Sequence, residues 1–170
     1  MEIRPAALSD ARAIAEIHVS GWRFAYRGLV PQAHLDGLSV TNRERIWANS
    51  ISTGQPQILV AVSDGDVIGW VAFDRCRDSD RSDHSGEIWA IYVAPERLGQ
   101  GVGRELWLRA LAGLRAGGYR EVTLWVLAEN ERACQFYAKA GFAPDVASAK
   151  DAEIGGAKLL ELRYVRSITA

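Results

Sequence analysis

Methionine, cysteine and proline are scarce in this chain of 170 residues, which has one Met, two Cys and five Pro. Cys76 and Cys134 stand alone, with no CxxC and no cluster of histidines beside them, so a zinc site is not expected. Two cysteines leave one disulfide open, but a reduced, cytoplasmic protein is the default expectation. An excess of either charge is also missing: 20 Lys and Arg face 21 Asp and Glu, for a net charge of -1. A nucleic-acid-binding domain would carry a basic face, so no nucleic-acid partner is expected. No apolar run approaches the roughly twenty residues of a membrane span. The opening Met1-Glu2-Ile3-Arg4-Pro5 has no apolar signal core. Neither a membrane nor a metal enters the expectation.

What is present is an ordinary globular mixture, 48% hydrophobic and 24% charged, long enough to bury a core. No repeat, linker or shift in composition divides it, so residues 1–170 are expected to form a single domain. Ile3 to Ala7 reads as a short strand. Ser9-Asp10 offers a helix cap, and Ile14, Ile17, His18 and Phe24 then recur at helical spacing. Pro31 to Leu38 suggests a second short helix. Thr41 with Glu44 has the spacing of a capping box ahead of Ile46, Trp47 and Ile51. Ile58–Val62 and Val67–Phe73 flank Ser63-Asp64-Gly65-Asp66, a hairpin signal. Arg75 to Ser85 is charged and without apolar period, and reads as a solvated loop. Glu87–Val93 is a strand, and Leu106, Leu108, Leu111 and Leu114 mark a helix closed by Gly117-Gly118. Glu121–Leu127 is a strand, a helix runs from Glu129-Asn130 to Ala140, and strands follow from Phe142 and over Lys158–Val165.

The chemistry concentrates where a strand feeds a glycine-rich turn and then a helix: Ile91, Tyr92, Val93, then Gly99, Gln100, Gly101, Val102, Gly103 and Arg104. Glycine lets the backbone approach a ligand closely, and free N–H groups at a helix start favour an anion such as a pyrophosphate. A dinucleotide fingerprint needs a third glycine where Arg104 stands. A P-loop needs Gly-Lys followed by Ser or Thr, which is absent.

At these residues the sequence resembles the GNAT superfamily of N-acetyltransferases, whose loop is written Arg/Gln-x-x-Gly-x-Gly/Ala. Leu98 takes the first position here, and Arg97 stands next to it. A second stretch, Asn130 to Phe142, fits the family's Asn-x-x-Ala-x-x-Phe-Tyr-x-x-x-Gly-Phe, at the right distance across one helix and one strand. The resemblance spans nearly the whole chain and is loosest beyond Pro144. It implies an α/β (α+β) fold with a mixed, mostly antiparallel central sheet, splayed after the strand at 87–93, and helices on both faces. It implies an acyltransferase that carries an acetyl group from acetyl-CoA to a primary amine by direct attack in a ternary complex.

The resemblance also assigns roles. The backbone of Ile91, Tyr92 and Val93 and the loop from Gly99 to Arg104 would hold acetyl-CoA, with Asn130 as a further contact. Asn130 serves equally as a helix cap. Tyr137 is the candidate general acid for the departing thiolate, against the alternative of a packed core aromatic. Glu87 is the candidate base, against a plain strand-end carboxylate. His18 is a weaker titratable candidate, more readily a packed histidine. Trp22, Tyr26 and Trp89 would line the amine pocket or simply belong to the core. A small free amine is the preferred acceptor, with a protein amine as the alternative. A homodimer is common in the family. Two other classes stay open: a non-catalytic acyl-CoA-binding module and a nucleotide-binding protein.

Overall fold

The computed structural model describes residues 1–169. Its strands are β1 (Glu2–Pro5), β2 (Gln57–Ser63), β3 (Asp66–Arg75), β4 (Ser85–Val93), β5 (Glu121–Leu127), β6 (Ala143–Ile154) and β7 (Ala157–Ser167). Its helices are α1 (Ala11–Ala25), α2 (Gln32–Asp36), α3 (Val40–Thr53), α4 (Val102–Ala116) and α5 (Glu131–Lys139). The strands form one sheet in the order β1-β2-β3-β4-β5-β7-β6. Every pairing in it is antiparallel except β4 with β5. This is the mixed, mostly antiparallel sheet that the sequence implies.

Alternation along β3 sends side chains to opposite faces. Val71 and Phe73 pack under α4, against Leu106, Leu111 and Leu114. Trp70 and Ala72 face the other way, toward Ile14 and Ile17 of α1 and Trp47 of α3. Each such side chain contributes about 1.5–3 kcal/mol on full burial, and the two layers hold helices to both faces of the sheet. A third cluster seats α2 on the far strands through Val30, Leu35, Leu127 and Leu159.

The splay follows from the pairing of β4. Only Ser85, Gly86 and Glu87 pair with β5, opposite Glu121, Val122 and Thr123. Beyond them the strands diverge, so the opening begins inside β4 rather than at its end. A β-bulge supplies the bend: Ile88 pairs with Phe73 and Ala90 with Ala72, which leaves Trp89 as the extra residue.

Local capping departs from expectation at two helices. Thr41 and Glu44 do not make a box; Ser39 caps α3, its hydroxyl accepting from Asn42 N at 3.2 Å. Ser39 is extended, so its oxygen faces the free amides, whereas Thr41 already lies in the helix. Asp10 does not cap α1. Its carboxylate accepts from Ala7 N at 2.7 Å and pairs with Arg4.

The segment between β3 and β4 is the exposed loop that its sequence suggests, yet it is tied down. Arg77 binds Glu87, Asp78 accepts from the Trp125 indole, and Asp80 pairs with Arg163. Arg81 joins Glu121 and Asp145. Its charges have partners on β4, β5, β6 and β7, and these strap it across the sheet.

Candidate functional site

The divergence of β4 and β5 opens a cavity of about 660 Å³. Its walls take in most of the sequence-predicted residues: Trp22 and Tyr26, then Trp89, Ile91, Tyr92 and Val93, then Gly99, Gly101, Val102, Gly103 and Arg104, then Asn130 and Tyr137. Three candidates stand apart from it, His18, Glu87 and Gln100. The Gln100 amide donates to Glu96 O at 3.1 Å.

At one end lies the start of α4. Gly101 is its N-cap at φ 83 and Gly99 precedes it at φ 78, a region that costs other residues strain. A Cβ built on either would meet nothing within 4 Å, so both glycines face open space. No side chain caps the helix, which leaves its first N–H groups to a ligand. Arg97, Arg104, Arg132 and Lys139 are also among the lining residues, Arg104 paired with Glu105. Orphan amides and a helix dipole in a cavity with four cations in its wall suit a polyanion.

Further in, α5 supplies Asn130 and Tyr137. Asn130 caps its helix, accepting from Ala133 N at 3.2 Å, and also reaches the cavity wall. Tyr137 packs edge-on to Phe136 and Phe142. Burial pushes its phenol well up, with Tyr26 and Cys134 adding to the effect. A phenol so placed keeps its proton at neutral pH, so its O–H is available as a donor within the cavity. Burial also raises Tyr26, against the opposing effect of Asn130, while the Glu161 charge adds to the rise.

Glu87 is 1% exposed, and its carboxylate is taken up by Arg77. It accepts from Arg77 N at 3.0 Å, from Nε at 3.1 Å and from the guanidinium terminus. The same guanidinium lies 4.1 Å from the centre of the Trp89 ring, whose Nε1 donates to Arg75 O. Glu87 thus fixes the segment that backs Trp89. His18 is buried and accepts at Nδ1 from Trp47 Nε1 at 3.0 Å, with Tyr92 stacked on it at 5.0 Å. Burial holds its pKa down to about 3, with the Arg43 charge adding to it.

The far end was not read from the sequence. Trp125 and Leu127 of β5, Ile154 of β6 and Glu161 of β7 complete the wall. Glu161 is the one carboxylate among the described lining residues. Three successive residues of β5, Trp125, Val126 and Leu127, reach the cavity, and nothing local in the sequence says that Glu161 lies across from Leu127.

The family model described as the acetyltransferase (GNAT) family matches residues 18–142. An uncharacterised N-acetyltransferase of Bacillus subtilis, YuaI, is 30% identical over 94% of this chain and 89% of its own. The L-amino acid N-acyltransferase MnaT of Escherichia coli is 28% identical over 91% of this chain and 85% of its own. The PaiA N-acetyltransferase of Thermoplasma acidophilum, solved in complex with coenzyme A, superposes with a TM-score of 0.76 at 21% identity. It covers 98% of each chain, a likeness of fold.

Proposed function

We propose, for a chain that belongs to the acetyltransferase (GNAT) family, that it moves the acetyl group of acetyl-CoA to a small primary amine by direct attack in a ternary complex. The observation that supports this best is the divergence of β4 from β5 at Glu87. It leaves the β4 backbone facing a cavity with four cations and Tyr137 in its wall.

The residues present fit the cosubstrate. The open space above Gly99 and Gly101 admits a pyrophosphate against the amides of α4, and Arg97, Arg104, Arg132 and Lys139 supply counter-charge. Arg97 reaches the cavity beside Leu98, so the charge absent at the first motif position is supplied next to it. Ile91 and Val93 offer backbone groups to an extended pantetheine arm, as a paired strand would. When bound, acetyl-CoA supplies a thioester whose carbonyl carbon receives the amine and whose thiolate leaves. A β4 amide polarises that carbonyl, and Tyr137 gives its proton to the departing sulfur. The amine proton passes to water, and Glu87 stays with Arg77 as a strut.

Calorimetric titration with acetyl-CoA, with ADP and NAD as controls, tests the reading. Binding of acetyl-CoA alone in the micromolar range, about -8 kcal/mol, is expected. Folded protein free of copurified CoA that does not bind acetyl-CoA overturns it. Tyr137→Phe is expected to keep that affinity while kcat falls by about 10²-fold.

A further inference from the structure

Lys150 on β6 is half exposed, yet its ammonium is not adrift in solvent. Its Nζ lies 3.5 Å from the centre of the Trp125 ring and 3.6 Å from Glu161 Oε2. Trp125 and Glu161 both line the cavity, whereas Lys150 does not. Cross-strand register explains the meeting: Lys150 is opposite Glu161, Glu161 opposite Leu127, and Trp125 opposite Arg163. Directly opposed residues share a face of the sheet.

We infer that Trp125 and Glu161 form an ammonium subsite at the rim of the acceptor pocket, filled in this structure by the Lys150 side chain. The acceptors it selects are cationic amines with no carboxylate beside the amine. The inference rests on the transferase reading above and deepens it.

The ring is built to stay in place. Its Nε1 donates to both Asp78 oxygens, at 3.2 and 3.1 Å, which also enriches the π face. The other cation near the ring, Arg163, has its guanidinium 5.5 Å from the ring centre and is held by Asp78, Asp80 and Asp145. That leaves Lys150 as the exchangeable cation. Its contact with Glu161 is longer than a hydrogen bond and its side chain is 52% exposed, so displacement removes an exposed ion pair of little worth and a cation–π contact that the incoming ammonium restores on the same ring. A primary amine is an ammonium ion at neutral pH and can take the same position. A carboxylate next to it would sit against Glu161 and be repelled. The held ion loses one proton to water before attack, so the bond changes of the transfer are unaltered.

Phenethylammonium and phenylalanine differ only by that carboxylate and serve as probes. Each is titrated into the CoA-saturated protein, into Glu161→Gln and into Lys150→Ala, with melting temperatures as the check on folding. Phenethylammonium is expected to bind the wild type about tenfold more tightly than phenylalanine. Glu161→Gln is expected to weaken it about tenfold, and Lys150→Ala to tighten it about threefold. Opposite shifts do not follow from a common loss of hairpin packing. Equal affinity for the two probes, shifts of the same sign, or no phenethylammonium binding to Lys150→Ala overturns the subsite. Acetyl-CoA is titrated into the same three proteins. Normal acetyl-CoA binding with a failed ammonium arm removes the subsite alone. Failed acetyl-CoA binding removes the transferase reading, and the ammonium arm, repeated without CoA, is still decided.

Discussion

His18 shows how a titratable residue at the edge of a site can be structural. The ring stays neutral because burial among Trp22, Trp47, Trp70 and Tyr92 leaves no room for hydration of a charge. Its folded pKa of about 3 lies below the ordinary 6.5. The unfolded chain therefore takes up a proton first as pH falls. The contribution of His18 to stability is complete above the unfolded value and declines by about 1.4 kcal/mol per pH unit below it. His18→Gln keeps an acceptor for Trp47 without the titration. Between about pH 6.5 and about pH 5, its loss of unfolding free energy should be about 2 kcal/mol smaller than that of wild type. Equal slopes for the two proteins would refute this. Tyr137 and Asn130 were legible in the sequence because a helical spacing holds both in one short motif. Glu161, Trp125 and Lys150 were not, because three strands of non-local register bring them together.

At the scale of elements, the turn into α4 is the part most open to the sequence, since alternating glycines before an amphipathic run have few other uses. The structure separates their roles. Gly101 sits at positive φ with open space above it, while a Cβ on Gly103 would meet Phe136 at an ordinary 3.5 Å. Gly101→Ala is expected to weaken acetyl-CoA about tenfold in calorimetry, through backbone strain and an intruding methyl group. Gly103→Ala should change the affinity less than about twofold. Matching losses in both variants would mean that the loop does not hold the ligand through Gly101. The cap of α3 was misread because Ser39 and Thr41 offer the same hydroxyl chemistry two residues apart, and only the extended backbone at Ser39 decides between them.

Between β1–β4 and β5–β7 the backbone pairs at only three positions, and the halves are held further by the packing of α4 and α2 and by the strapped segment before β4. That dependence makes Arg163 a tie rather than a surface charge. It is 6% exposed and binds Asp78 and Asp80 of the segment and Asp145 of β6. Arg163→Met should lower Tm by about 8 °C and speed amide exchange across residues 77–81. An unchanged Tm would show that the strap carries no load. The sequence displayed the charges of this segment as a polar run and hid their partners, which lie from 10 to 85 positions further along the chain.

The divergence at Glu87 has one more consequence. From Ile88 to Val93, β4 has β3 on one side and no strand on the other, which makes it a sheet edge in the middle of a sheet. Such an edge on an outer surface invites other chains to pair with it and starts aggregates. Here residues of α1, α5 and β5 share its cavity, so the edge faces a walled space rather than an outer surface.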